Sequence, residues 1–247
     1  MTADSYADVE PLVRDVEGWM TPEQGRRLFD AAKVCPPGGR IVEIGSFRGR
    51  STIVLASAAA PDVEIVAVDP HAGNDRGPQE IEGFEEEAAS DHDVFLANLA
   101  KAGVRDRVRH VRESSDAAHA SVDGDVDVLY IDGAHRYTPA LADIRDWGGR
   151  VADGGTLLIH DAFSSVGVTA AIVRTLVGGR RFRYVGRSRS LVEYRADLTP
   201  GARRSNAMRQ LGELPWFAKN VALKVFLTIG GGRLLRAVGR DVPEWPY

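Results

Sequence analysis

Two short runs carry the residues best suited to chemistry. Residues 126–137 read Val-Asp-Val-Leu-Tyr-Ile-Asp-Gly-Ala-His-Arg-Tyr, and residues 155–163 read Gly-Thr-Leu-Leu-Ile-His-Asp-Ala-Phe. Each is an apolar strand ending in a carboxylate, Asp132 in the first and Asp161 in the second. One crossover helix between them predicts neighbouring parallel strands about 4.8 Å apart, with both carboxylates in one crevice. Carboxylates that close repel unless a cation lies between them, and hard oxygen donors of this kind suit Mg2+ or Mn2+. His160 is a third candidate ligand or a support for one. His135, three residues past Asp132, has the ordinary pKa of about 6.5 that suits a general base. The plainer alternative is that each aspartate caps the helix that follows it. Of the other histidines, His92, His110 and His119 lack such company, and His71 alone stands near a second carboxylate, Asp69.

A third run predicts what lies beside this pair. Residues 40–52, Arg-Ile-Val-Glu-Ile-Gly-Ser-Phe-Arg-Gly-Arg-Ser-Thr, are a short apolar strand, a glycine-pinned turn and the start of a helix. Gly45 can adopt backbone angles closed to other residues, Gly49 lets a ligand approach the main chain, and free N–H groups at the helix N-terminus face that ligand. The pattern is a nucleotide-type cofactor site. Phe47 occupies the second glycine position of a dinucleotide fingerprint, and no Gly-Lys-Ser/Thr follows to make a phosphate loop. What remains is Glu43-x-Gly45-x-x-x-Gly49, with Asp69 ending the next apolar run, where a carboxylate can accept both hydroxyls of a ribose.

The elements that must position these residues alternate. Strands are expected at 40–45, 63–68, 107–112, 126–131 and 155–160, with helices at 50–60, about 90–102, about 115–120, 138–151 and 166–177. Alternation of this kind implies a parallel sheet with helices on both faces. Residues 181–195 read as a hairpin closing the sheet. Ahead of the first strand, Thr21-Pro-Glu-Gln24 reads as an N-cap, a first-turn proline and a capping-box glutamine, opening a helix to about Lys33. Residues 1–34 are thus expected to be a helical cover, 35–195 a cofactor-binding domain, and 196–247 a basic amphipathic arm. Within the domain, residues 71–93 form an acidic insertion with the makings of a lid.

The Glu-x-Gly-x-x-x-Gly turn with Asp69 resembles the S-adenosylmethionine (SAM) site of class I methyltransferases. Ile-Asp-Gly-Ala-His-x-Tyr at 131–137, followed by an apolar strand ending in His-Asp, narrows this. It is similar to the metal-dependent O-methyltransferases of sugars and glycosylated natural products, including macrolide-sugar enzymes and their cephalosporin-biosynthesis relatives. The resemblance implies an α/β, Rossmann-like, seven-stranded, mostly parallel sheet with one antiparallel strand. It also implies cofactor contacts at Glu43, Gly45, Ser46, Gly49, Ser51, Asp69, His71, Ser114, Asp116 and Asp132, with the adenine near 113–116. Asp132 and Asp161, joined by His160, would hold Mg2+, and His135 would be the base. The chain departs from the sugar enzymes at His160, where they carry a glutamate. Three other readings stay open here: a catechol-type enzyme acting on an aromatic diol, a non-catalytic SAM-binding protein, and a nicotinamide oxidoreductase.

Composition bounds the rest. The 247 residues, 44% hydrophobic and 27% charged, can bury one sizeable core. Cys35 is the one cysteine, so no intramolecular disulfide framework exists; with no leader pattern at the start, a reducing cytoplasm is expected. Only four of the 31 basic residues are lysine, a bias that a GC-rich bacterial genome accounts for. From Arg180 onward there are 14 Lys/Arg against five Asp/Glu, leaving 17 against 30 before it. The basic charges of the tail are dispersed among apolar residues, which favours a homo-oligomeric or intramolecular partner over nucleic acid. The apolar stretch 221–229 is broken by Lys224 and too short for a bilayer, which takes about 20 residues, so stable membrane insertion is not expected. A peripheral membrane helix is the sharper alternative for 214–238.

Overall fold

A computed structural model describes residues 2–72 and 85–230, with backbone alone at 85–89. The core of the predicted insertion, 73–84, and the end of the C-terminal arm beyond Gly230 lie outside the described residues. Seven strands form one sheet: β1 (Arg40–Ile44), β2 (Glu64–Val68), β3 (Val108–Val111), β4 (Val126–Ile131), β5 (Val151–Ile159), β6 (Arg183–Ser188) and β7 (Leu191–Arg195). Their order is β3-β2-β1-β4-β5-β7-β6. The first five run parallel, whereas β7 pairs antiparallel with both β5 and β6. The sheet is therefore the one expected from the sequence, mostly parallel with β7 reversed.

Strand side chains alternate between two layers of helices, as the two-residue period requires. Val42, Ile44, Leu129, Ile131, Leu157 and Ile159 point to one core, with Ala140 and Ile144 of α5 (Tyr137–Asp146) and Val168 and Ile172 of α6 (Val166–Ile172). Ile41, Ile65, Val128, Tyr130 and Leu158 point to the other. That second core is closed by α1 (Tyr6–Val13), α2 (Pro22–Lys33), α3 (Arg50–Ala58) and α4 (Glu85–Lys101). α2 starts where Thr21 caps it: the Gln24 N–H donates to Thr21 Oγ1 and the Thr21 N–H to Gln24 Oε1. The Gln24 amide then reaches Ser190 Oγ at 3.0 Å, tying the cover to the β6–β7 turn.

The structure departs from the expected elements in four places. β5 begins at Val151 rather than 155, because Val151 pairs with Val126 of β4 ahead of a register shift, and the Gly154 N–H donates to the Ala196 carbonyl and the Ala196 N–H to that of Gly155. α5 accordingly ends at Asp146, ahead of a 3-10 turn. The helix expected at 115–120 is a single 3-10 turn, Ala117–Ala120. Within the expected 1–34 cover, where only the helix from Thr21 is placed by the sequence, α1 forms a second helix with Pro11 inside it. In the C-terminal region, α7 (Arg203–Leu211) and α8 (Leu214–Thr228) follow the sheet; Trp216 and Phe217 of α8 pack on the first core.

Candidate active site

The carboxyl ends of the parallel strands are flush. Ile44 pairs with both Val68 and Ile131, Val68 with Val111, and Ile131 with Ile159. The next residues, Gly45, Asp69, Asp132 and His160, each donate a backbone N–H to the neighbouring strand end, so the ladder runs one step further. This register places the glycine turn, Asp69, Asp132, His160 and Asp161 along one edge, where open α/β sheets bind ligands.

At that edge Asp132, His135 and Asp161 offer donor atoms all within 4.8 Å of one another. His135 Nε2 lies 3.0 Å from Asp161 Oδ2 and 4.0 Å from Asp132 Oδ1. His160 Nδ1 lies 3.2 Å from Asp132 Oδ1 and 3.6 Å from Asp161 Oδ2. Tyr130 Oη donates to the other oxygen of Asp132 at 2.8 Å. Burial would raise both carboxyls and lower both imidazoles, but the attraction between them outweighs it. Asp132 and Asp161 are held well below the usual carboxylate range, and His135 and His160 well above the usual imidazole value. His160 is only 4% exposed, yet neither ring nitrogen completes a hydrogen bond. Such an orphaned, buried nitrogen facing two carboxylates fits a cation ligand, as do the two oxygen donors beside it.

The glycine turn packs closely on the protein's own elements. Gly45 has φ +86, and a Cβ there would stand 2.2 Å from the Asp132 carbonyl oxygen. Gly49 also has φ +86, and its Cβ position faces Phe95 and Leu99 of α4. Both glycines are thus demanded by close approach of the protein's own elements. Phe47 has φ +44 and stacks on Trp19, with ring centroids 5.5 Å apart. Asp69 Oδ2 accepts from the Ser46 and Phe47 N–H groups at 2.9 and 2.8 Å, and Oδ1 from the His71 N–H at 2.7 Å. Glu43 is enclosed behind the turn, where the hydroxyls of Ser51 and Thr52 donate to its two oxygens. Burial pushes its carboxyl up to about 8, even against those two hydrogen bonds.

Comparison with known proteins gives this edge a context. Residues 42–162, from β1 through the Asp161 loop, match the family model of a methyltransferase domain. This stretch, just under half of the chain, is similar to a methyltransferase domain. Solved structures share its fold: cofactor-bound Rv0187 from MTB at 20% identity and TM-score 0.56, covering 78% of this chain and 89% of that one. The O-methyltransferase NovP matches at 17% identity and TM-score 0.56, covering 77% and 88%. An O-methyltransferase from Bacillus cereus, solved with SAH, matches at 16% and TM-score 0.52, covering 79% and 92%.

Several features of this edge were not evident from spacing. Ser114 and Asp116 lie exposed after β3, where a hydrogen bond from Ser114 holds the Asp116 carboxyl below its usual range. His92 and His110, which the sequence leaves apart, gather with His71 at ring separations of 5.0–5.4 Å beside Phe95. Burial, with help from His71 and His92, lowers His110 to about 4. Tyr130 could have been found, since it precedes Asp132 by two and shares its side of the strand. No sequence signal marks Trp19, or Asn220 and Lys224 of α8, which reach the loop after β5. Among the described residues, no helix is long and apolar enough to cross a membrane.

Proposed function

We propose that the chain is a divalent-metal-dependent O-methyltransferase that moves the methyl group of SAM to a sugar hydroxyl. The convergence of Asp132, His135 and Asp161 at the strand ends, beside the glycine turn, carries this reading. A methyltransferase domain needs no such cluster to bind SAM; a reaction that must acidify and orient a hydroxyl does. The sugar as acceptor rests on the likeness of residues 131–137 and the following His-Asp to the sugar and natural-product enzymes.

Asp132 and Asp161, with His160 behind them, would hold Mg2+ or Mn2+. A cation held there would supply Lewis acidity, making an acceptor hydroxyl easier to deprotonate. SAM supplies the methyl, and the protein contributes alignment. Asp69, whose oxygens already hold three backbone N–H groups, fixes the turn and offers its remaining lone pairs to the ribose. Glu43 and Ser51 act from behind, locking β1 to α3. Asp132 and Asp161 keep His135 protonated; with their charge neutralised, Nε2 is free to take the acceptor's proton.

The deciding measurement is transfer of labelled methyl from SAM to mono- and oligosaccharides, glycosylated macrolides and catechols, each with Mg2+ and with EDTA. Labelled sugar that vanishes with EDTA is expected, and transfer that survives EDTA would refute the metal role. Label on catechol alone would replace the sugar. His135→Ala should abolish transfer with the Kd for SAM nearly unchanged; equal loss of both would remove His135 as base.

A further inference from the structure

The loop that carries Asp161 holds a conformation its own sequence disfavours. Asp161 and Phe163 have φ +54 and +55, in the left-handed region. Aspartate tolerates that region, but for a bulky aromatic residue it is a true outlier, held only where the surroundings impose it. Within the loop, the Ser164 and Ser165 N–H groups donate to the Asp161 carbonyl at 3.2 and 2.9 Å, and the Ala162 N–H to Ser190 O at 2.9 Å. The carbonyls of the next two residues turn outward, and α8 takes both. Asn220 Nδ2 donates to Phe163 O at 3.1 Å, and Lys224 Nζ donates to Ser164 O at 3.2 Å and Ser164 Oγ at 2.9 Å. Asn220 and Lys224 are four apart and so lie on one face of α8.

A helix docked only for packing buries apolar side chains. The one fully buried residue of α8 is instead this amide, spent on the backbone of the loop beside Asp161. We propose that α8 belongs to the active site, with Asn220 and Lys224 as positioning residues that hold the Asp161 loop in its cation-binding shape. The clamp acts across 57 and 60 residues of sequence, from outside the segment that matches the methyltransferase family model. It rests on the reading of Asp161 as a metal ligand.

The test uses the full chain and Mn2+ itself, titrated by electron paramagnetic resonance, with SAM affinity and melting temperature measured in parallel. Outer partners of metal ligands typically change affinity about 10- to 100-fold. Asn220→Ala and Lys224→Met should each weaken Mn2+ by that much with SAM affinity within about threefold of wild type, and Lys224→Arg should restore most of the loss. Trp216→Ala, which loosens α8 by removing its packing on the core and the ring under Arg187 but touches neither clamp residue, is the control for variants that fold poorly. Unchanged Mn2+ affinity in folded Asn220→Ala and Lys224→Met proteins overturns the clamp. So does Trp216→Ala weakening Mn2+ as much as they do, since undocking of the helix would then explain the loss. Wild-type protein that binds no Mn2+, or binds it equally well as Asp161→Asn, would instead fail the metal reading and take this role with it.

Discussion

Glu43 should make the protein less stable as pH rises through neutrality. It sits fully buried on the α3 side of β1, and its folded pKa is about 8 against an ordinary 4.5. A raised carboxyl favours the protonated form in the folded chain, so its contribution is fully present below about pH 4.5 and is lost as pH climbs to about 8. One proton over that interval corresponds to about 1.4 kcal/mol per pH unit, or about 4 kcal/mol from pH 5 to pH 8. Glu43→Gln keeps the shape and can still bond Ser51 and Thr52 but has no charge to bury. Urea unfolding of both proteins between pH 5 and 9, followed by fluorescence of the buried Trp147, should show the variant gaining on wild type by about that amount and levelling off above pH 8. A constant difference across pH 5–8, or one growing toward acid, would refute the argument that Glu43 is held neutral.

Other outcomes follow from the same edge. Gly45→Ala combines a positive φ with a Cβ 2.2 Å from the Asp132 carbonyl; a loss of more than about 3 kcal/mol is expected, and urea unfolding should show it. Gly167→Ala carries no φ strain, but its Cβ would meet His135 O at 2.3 Å and Tyr137 N at 2.8 Å, pushing His135, the proposed base, from Asp161. Methyl transfer should fall about 100-fold at near-normal SAM affinity, and a wild-type rate would show that the His135 loop tolerates displacement. His110, with its pKa lowered to about 4, contributes stability that is present above about pH 6.5 and lost on acidification toward pH 4. Melting temperatures from pH 7 to 4 should therefore drop less steeply in His110→Phe than in wild type.

What could be read from the sequence is what repeats locally. β1, the glycine turn and the start of α3 are contiguous, and apolar runs ending in Asp69, Asp132 and His160-Asp161 mark strand ends without any three-dimensional information. Their side-by-side order then follows from right-handed crossovers. Contacts between distant segments were hidden. The reason Gly45 must be glycine lies in β4, that for Gly49 in α4, and the stack on Phe47 comes from Trp19. The early start of β5 depends on Val126 and Ala196, outside the strand's own pattern. His110 comes beside His71 through the pairing of β2 with β3, and His92 joins them from α4, a packing fact that spacing does not encode.

The strand ends crowd four carboxyls into one region, and the fold disarms each differently. Glu43 is dehydrated until it holds its proton, and two hydroxyls occupy its oxygens. Asp69 keeps its oxygens on three backbone N–H groups, a neutral cradle that stiffens the turn. Asp132 and Asp161 are balanced by His135 and His160, groups that can surrender their charge. Among these four, the proposed cation would therefore find its most favourable place between Asp132 and Asp161. Displacing protons from two imidazoles there costs far less than stripping three amides from Asp69 or ionising Glu43 in its apolar enclosure. Under the proposed reaction the same exchange would leave His135, now 3.0 Å from Asp161, in the neutral form a general base requires, so the arrangement that would select the cation would also prepare the base.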